Sequence, residues 1–498
     1  VFVFWPADFK TQGNMKDLVS AIGQLEASGR QLETDTNQRS QWLEQTNTYL
    51  EEFIQSDPDR KAYNANDKDL ELLDQLDISR KMELGDLLRI IDKSIHGPGI
   101  NTISNRHLGY VPGGGLYASG IGDLIAAVGN RYNGLSYGSP GAVKIENKLI
   151  AWAAALMGLP KSTIGNLTSG GSIANLIALT VARDEYLRKG HELNKAVIYY
   201  TEHTHHCIRK ALHIIGMGHC TVRTVTVDEH FRMLPESLAA NIESDREAGL
   251  TPFAIIATLG STNVGAIDPI GPVADIAGKY NLWLHLDAAY GGFFLLLDRF
   301  RHLLDGVSKV DSAVLDPHKS LFIPYGTGMV LVRDGHKLVR SFHHSATYLQ
   351  DFTASLDDVS PADVSPELTR HFRGLRMWLP LQLHGIEPFK AALEEKILLT
   401  RYFYEEVQKI GFETGPFPDL SICIYRYVPE NGGDANDFNE RLLRAVLKEG
   451  RFFISSTTIG GTYWLRLAAL SYNTHLDTIR EYLKDLRELT GRGIRGSL

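Results

Sequence analysis

The sequence predicts an α/β fold built on a doubly wound, mostly parallel sheet, and two observations carry that expectation. From about residue 143 to 335 short apolar runs recur: Ala196-Val-Ile-Tyr-Tyr200, Phe253-Ala-Ile-Ile-Ala257, Leu282-Trp-Leu-His-Leu286, Ser312-Ala-Val-Leu315 and Gly328-Met-Val-Leu-Val332. Helical periodicity over 144–158, 172–189, 235–247 and 271–280 falls before or between them. Strands alternating with helices imply parallel pairing with both sheet faces covered. Ligands of such sheets sit beyond the carboxyl ends of the strands, so the loops after these runs are the first place to look for chemistry.

The flanking segments follow in order. The start, Val1-Phe-Val-Phe-Trp-Pro6, is apolar but short, lacks a basic leader and is broken by Pro6, so no signal peptide is expected there. Residues 15–95 read as helical. Trp42, Tyr49, Leu50, Phe53 and Ile54 recur at three- and four-residue spacing, and Leu70, Leu72, Leu73, Leu76 and Ile78 continue the pattern less cleanly. Such helices can wrap a partner subunit or pack on their own core. Residues 97–141 are broken by Gly97-Pro98-Gly99, Pro112-Gly-Gly-Gly115 and Gly138-Ser-Pro-Gly141, with Tyr110, Tyr117, Tyr132 and Tyr137 interleaved. That stretch reads either as binding-site loops or as an irregular linker. Residues 346–369 read as a long loop of the kind that serves as a lid. The tail reads as a small α+β unit: a strand over 420–427, a helix over 436–449 and a hairpin over 452–470 turning at Gly460-Gly461. A last helix is expected near Thr474, with Thr474 as N-cap and Asp477 at the box position. The expected division is 1–112 as an N-terminal helical segment, 113–386 as the large α/β domain and 387–498 as the small C-terminal domain.

Composition narrows the class of function. The net charge of the 498 residues is −8, which argues against a polyanion-binding surface and so against nucleic acid as a partner. Three cysteines, Cys207, Cys220 and Cys423, are too few for a disulfide framework and fit a reducing cytoplasm. No apolar run is long enough to span a membrane.

Four features stand at strand-to-loop junctions. Thr168-Ser-Gly-Gly-Ser-Ile-Ala174 opens a helix with small residues, so its free N–H groups and helix dipole suit a phosphate. His203-Thr-His-His206 follows the run 196–200. Familiar ligand spacing is missing apart from the adjacent Glu202, so no metal is assigned, and an imidazole there can instead stack on a flat aromatic group or lie in the core. Asp287 ends an apolar strand and is followed by the small Ala288 and Ala289, leaving room for a flat ring whose protonated nitrogen would partner the carboxylate. Asp287 could equally be a helix N-cap. Last, Asp311-Ser-Ala-Val-Leu-Asp-Pro-His-Lys-Ser320 sets Lys319 just past a buried strand. A lysine so held suits Schiff-base chemistry, with a lowered pKa expected for its amine. Phosphate cradle, stacking group, ring-nitrogen carboxylate and amine are together the parts that pyridoxal phosphate needs.

On these residues the chain resembles the group II pyridoxal-phosphate-dependent amino-acid decarboxylases, and most of all their aromatic-L-amino-acid branch. The likeness runs from about Asn105 to the C-terminus. It is most specific at Ser169-Gly-Gly-Ser-Ile-Ala-Asn175, Thr258-Leu-Gly-Ser-Thr262, Trp283-Leu-His-Leu-Asp-Ala-Ala-Tyr-Gly291, Asp316-Pro-His-Lys319 and Phe372-Arg-Gly-Leu-Arg-Met-Trp378. The resemblance implies a fold-type I homodimer with active sites at the subunit interface. It implies Lys319 as the Schiff-base lysine, Asp287 on the pyridine nitrogen and His205 stacked on the ring and assisting proton transfer. Gly171, Ser172 and His318 fall where the family holds the phosphate, and Thr262 and Ala289 line the ring. Tyr110, Val111 and Pro112 match a pocket-forming stretch compatible with an aromatic side chain. Two positions depart. The family usually has Asn where this chain has Asp316. No tyrosine occurs between Tyr348 and Tyr402, where the plant and animal aromatic branch carries the lid tyrosine that protonates the product. The expected reaction is decarboxylation of an L-amino acid, aromatic by preference, to amine and carbon dioxide. The alternatives are oxidative decarboxylation–deamination to an aldehyde, decarboxylation of an acidic or aliphatic amino acid, and a catalytically silent binding protein.

Overall fold

The computed structural model describes residues 15–343, 359–429 and 432–491. The chain divides into two compact units, one from Val1–Asp59 with Asn66–Pro98 and one from Arg60–Ala65 with Gly99–Leu498. The start of the chain, Tyr348 and the first part of the expected lid, 346–358, lie outside the described residues.

In the first unit the helical expectation holds for Met15–Gly29, Thr36–Ser56 and Leu84–Ile90. Asp35 caps the second helix, its carboxylate accepting the Gln38 N–H at 2.8 Å. The weaker pattern around Leu70–Ile78 forms only the single turn Glu71–Asp74.

The second unit holds the central sheet. Its strands, in chain order after the short antiparallel pair β1 (Tyr63–Asn64) and β2 (Gly99–Ile100), are β3 (Ile164–Thr168), β4 (Ala196–Tyr200), β5 (Thr221–Thr224), β6 (Thr251–Thr258), β7 (Trp283–Asp287), β8 (Ser312–Leu315) and β9 (Gly328–Val332). They lie in the order β3-β9-β8-β7-β6-β4-β5. Pairing is parallel from β8 to β5, and β9 runs antiparallel to both of its neighbours. Side chains alternate between two cores. Val197, Tyr199, Ile255, Ala257, Leu284 and Leu286 enter one, and Ile198, Tyr200, Ala254, Ile256, Val314 and Val330 enter the other. The helix Gly171–Arg188 covers the second face, and Pro140–Leu156 and Ile270–Tyr280 cover the first. Both faces are apolar because both are buried, as the near-continuous apolar runs imply.

The tail forms a second, antiparallel sheet of β10 (Phe412–Thr414), β11 (Ile422–Tyr427), β12 (Ser455–Ile459) and β13 (Thr462–Ala468), in the order β10-β11-β13-β12. Gly460 and Gly461 make the predicted hairpin turn at φ 55° and 79°, a left-handed pair that glycine adopts without steric cost.

Two expectations are corrected, and two strands were not anticipated. The last helix begins at Leu476, not at a Thr474 cap: the Thr474 hydroxyl donates to the Asn105 carbonyl at 2.7 Å, and Asp477 accepts from the adjacent Thr478 N–H. The glycine-broken stretch 97–141 contains a thirteen-residue helix, Tyr117–Gly129, whose glycines are tolerated inside it. Strands β3 and β5 carry no apolar run. β3 reads Ile-Gly-Asn-Leu-Thr, and β5 is a half-exposed edge strand.

Candidate active site

The carboxyl ends of β3, β4, β6, β7 and β8 open on one cavity of about 400 Å³. Gly171, Ser172, His205, Thr262, Asp287, Ala289, His318 and Lys319, scattered over 149 positions of sequence, all line it. Each is carried there by a strand end, by the loop that follows one or by the first turn of a helix, so the sheet sets their spacing.

Lys319 lies on the short helix Pro317–Ser320 directly after β8. Its amine sits 3.0 Å from Asp316 Oδ2, and a quarter of its side chain faces the open cavity. The expected lowered pKa is overturned. Burial alone pushes the ammonium down, but the charges of Asp316 and Asp287 and the hydrogen bond to Asp316 outweigh it, so the amine titrates above its ordinary value.

Asp287 ends β7, in register with Thr258 of β6 and Val314 of β8. It is 6% exposed. Burial raises its proton affinity, and the Lys319 charge, the Ala289 N–H at 3.2 Å and the Asn175 amide oppose that without reversing it. The carboxylate therefore lacks a full cationic partner inside the protein, which suits the protonated ring nitrogen of a bound pyridine.

His205 follows β4. The Cys207 N–H donates to its Nδ1 at 3.3 Å, which leaves the ring proton on Nε2. Burial first, then the nearby His206 and Lys319, hold its pKa down at about 4, so the imidazole is neutral at neutral pH. The triplet divides: His205 and His203 line the cavity, while His206 is exposed.

At the other end of the cavity, the free N–H groups of Gly171 and Ser172 begin the helix Gly171–Arg188. His318 donates through Nδ1 to the Thr327 carbonyl at 2.6 Å. A side chain on Gly171 would meet Asp316 Oδ2 at 2.8 Å and would push that carboxylate aside, so glycine lets this helix start approach Asp316 as closely as it does. Arg376 fixes the opposite wall. It pairs with Asp123 through Nη2 at 2.7 Å and donates to the Tyr325 carbonyl at 2.7 Å, beside the Thr327 carbonyl that His318 uses.

Several cavity atoms have no hydrogen-bond partner within the protein. Thr258 Oγ1, both ring nitrogens of His203 and Asp316 Oδ1 are buried without a hydrogen bond. Unpaired buried polar atoms around a cavity mark a place shaped for a polar guest. Amine, buried carboxylate, neutral imidazole and helix N-terminus fit pyridoxal phosphate; the Asp316 carboxylate beside the helix start is the one element of the wrong sign for its phosphate, and Lys319 neutralises it here.

Asn175 and Thr258 lie inside the quoted motifs but are given no role there, and Cys207, Tyr325 and Arg466 are not read as site residues from the sequence. Asn175 had a signal, standing one helical turn past Gly171 on the same face. Arg466 had none. From β13 it donates to the carbonyls of Tyr110 at 2.9 Å, Thr262 at 2.7 Å and Asn263 at 3.1 Å, which ties the loop after β6 to the glycine-rich segment. In that segment Tyr110 is exposed, Val111 and Pro112 are buried, and Gly113 packs on the His318 and Lys319 backbone.

Comparison with known proteins agrees with this geometry. The model of the pyridoxal-dependent decarboxylase conserved domain matches residues 68–415. An aromatic-L-amino-acid decarboxylase of Bacillus atrophaeus is 30% identical over 410 residues, covering 81% of this chain and 85% of the relative. A tyrosine decarboxylase 2 of Arabidopsis thaliana is 32% identical over 406 residues, covering 78% and 74%. The crystal structure of Catharanthus roseus tryptophan decarboxylase in complex with L-tryptophan superposes with a TM-score of 0.84 at 25% identity, covering 92% of this chain and 98% of that one. The chain belongs to the pyridoxal-dependent decarboxylase family and is a carboxy-lyase that uses pyridoxal phosphate.

Proposed function

We propose that the protein converts an aromatic L-amino acid to its amine and carbon dioxide. One observation carries the reading: Lys319, Asp287, His205 and the Gly171 helix start converge on a single cavity. Pyridoxal phosphate, when bound, supplies an aldehyde for an amine and a ring that takes up the electrons of the broken carbon–carboxylate bond. Lys319 Nζ would be the amine that holds the cofactor's aldehyde. Asp287 holds a proton at the ring nitrogen. Gly171, Ser172 and His318 would hold the phosphate, Thr262 and Ala289 would line the ring, and His205 would cover it as a neutral imidazole with its N–H on Nε2. The aromatic preference is supported by the substrates named for the relatives and by the Tyr110–Pro112 stretch, whose backbone Arg466 ties to Thr262.

Two coarser features belong to the same reading. A homodimer is supported by the apolar stripe of Tyr117–Gly129, where Ile121, Leu124, Ile125 and Val128 are exposed on one chain. A cytoplasmic setting is supported by three free thiols. Among the described residues, no helix is long and apolar enough to cross a membrane.

Product analysis tests the activity. The loaded enzyme should give carbon dioxide and amine in equal amounts from an aromatic amino acid, without oxygen uptake. Lys319→Ala should lose turnover and the cofactor that borohydride fixes to the chain; retained turnover would refute the assignment. A second reading has one observation in its favour, the lack of a tyrosine between Tyr348 and Tyr402. It is oxidative formation of an aldehyde, and oxygen uptake with aldehyde in place of amine would establish it.

A further inference from the structure

Behind Asp287 a line of buried hydrogen bonds crosses the core. Trp283, His285 and Asp287 alternate along β7 and so point to one face of the sheet. Ser312 of β8 stands in register with His285. The helix Gly171–Arg188 packs over that face and supplies Asn175. Trp283 Nε1 donates to Ser312 Oγ at 2.9 Å, Ser312 Oγ lies 2.8 Å from His285 Nδ1, and His285 Nε2 lies 2.7 Å from Asn175 Oδ1. The Asn175 amide nitrogen then donates to Cys207 Sγ at 3.4 Å, and the same amide, which lines the cavity with Asp287, acts to lower the proton affinity of that carboxyl. Asn175, His285 and Ser312 are each at most 1% exposed, so water does not interrupt the line.

Its two ends fix its direction. An indole N–H only donates, so Ser312 Oγ accepts there and has its single proton left for His285 Nδ1. The imidazole proton then sits on Nε2 and donates to Asn175 Oδ1, which turns the amide N–H groups toward the carboxylate. At the other end an ionised carboxylate only accepts. Running the line backwards would aim the Asn175 oxygen at Asp287, oxygen against oxygen between two buried side chains. Burial pushes His285 down to about 3, which keeps it neutral as this order requires.

We propose that Asn175, oriented by His285, Ser312 and Trp283, is a positioning residue that keeps Asp287 ionised and aimed at the cofactor's ring nitrogen. This rests on the role given to Asp287 above. Cutting the line frees the amide to turn, weakens the carboxylate as an anion and lets the ring lose its proton. The substrate contacts are untouched.

The test loads the full chain with cofactor labelled with ¹⁵N in the ring and reads the nitrogen shift beside the kinetics. Unaltered protein should show a protonated ring. His285→Leu should move the shift toward the unprotonated value and lower kcat by about 10- to 100-fold, the worth of one hydrogen bond to a charged group, with KM nearly unchanged. His285→Gln, whose amide accepts from Ser312 and donates to Asn175, should recover both readings. Trp283→Phe removes a single N–H far from the substrate, keeps the ring packing and should move both readings the same way by less. Unchanged readings in His285→Leu and Trp283→Phe would overturn the proposal, and so would a Gln variant no better than Leu, since packing alone would then explain the loss. An unprotonated ring in the unaltered protein would instead remove the Asp287 role itself, and this proposal with it.

Discussion

Lys319 sits between two carboxylates, and its charge follows from both. Asp316 is three residues away, at the N-cap of the short helix that carries Lys319, a spacing that places the two side chains together. Asp287 arrives from the neighbouring strand. Only the neutral amine attacks an aldehyde, so a raised pKa means that cofactor capture speeds up as the pH rises toward it. Asp316→Asn removes the larger of the two charge effects that hold the proton on Lys319. Its capture of pyridoxal phosphate at pH 7 should therefore be faster than that of the unaltered protein, with the pH profile moved to lower pH. Stopped-flow absorbance of the protein without cofactor measures this, and an unmoved profile would show that Asp316 does not set the charge of the amine. The sequence displayed the Asp316–Lys319 spacing plainly. What it concealed was the sign of the shift, because desolvation and attraction oppose each other and their balance depends on distances that only the packed strands determine.

Among the elements, the weakest-looking strand has the strongest anchor. β3 reads Ile-Gly-Asn-Leu-Thr, yet it delivers the glycine turn to the cavity. Arg370, whose side chain is fully buried, pairs with Glu146 at 3.1 Å and donates to Asn166 Oδ1 and the Leu167 carbonyl at 2.5 and 2.7 Å. Glu146 also accepts the Gly374 N–H at 3.0 Å. One ion pair thus joins the helix Pro140–Leu156, strand β3 and the start of the helix Gly374–His384. Glu146→Ala leaves a buried guanidinium without its anion and should destabilise the fold by about 3–5 kcal/mol. Glu146→Leu combined with Arg370→Met should cost less than Glu146→Ala alone. Denaturant unfolding of the three proteins checks both statements. This anchor explains what the sequence showed and what it hid. Strands β4, β6, β7, β8 and β9 were legible because burial on both faces makes them apolar runs. β3 was not, because polar contacts from residues some two hundred positions away hold it in the sheet, and periodicity carries no sign of them. The strand-end positions of Lys319, Asp287 and His205 were legible for the same reason as the strands, whereas Asn175 and Arg466 act through contacts made only after folding.

At the scale of the second unit, a stripe of exposed apolar side chains runs along the helix Tyr117–Gly129. Tyr117, Ile121, Leu124, Ile125 and Val128 fall at three- and four-residue intervals and are 48%, 40%, 51%, 52% and 79% exposed. The helix is not loose. Asp123 is held by Arg376, and Ala118, Gly122 and Ala126 are buried on its other side. A helix anchored on one face and apolar on the other is two-sided in the way that a subunit contact requires, and a stripe of this kind is rare on a monomer. A second copy presenting the same stripe would cover both at once, since a two-fold contact is self-complementary. Arg376 also holds the Tyr325 carbonyl at the cavity wall, so a contact on this helix reaches the site through a single side chain. Leu124→Glu combined with Val128→Glu places two like charges on each stripe, and four where two stripes meet. Sedimentation should then show the mass of one chain in place of two, and cofactor should leave the variant faster than the unaltered protein. A variant that keeps the double mass would assign the dimer contact to another face. One that becomes a single chain yet retains its cofactor would show that the site is complete without the second copy.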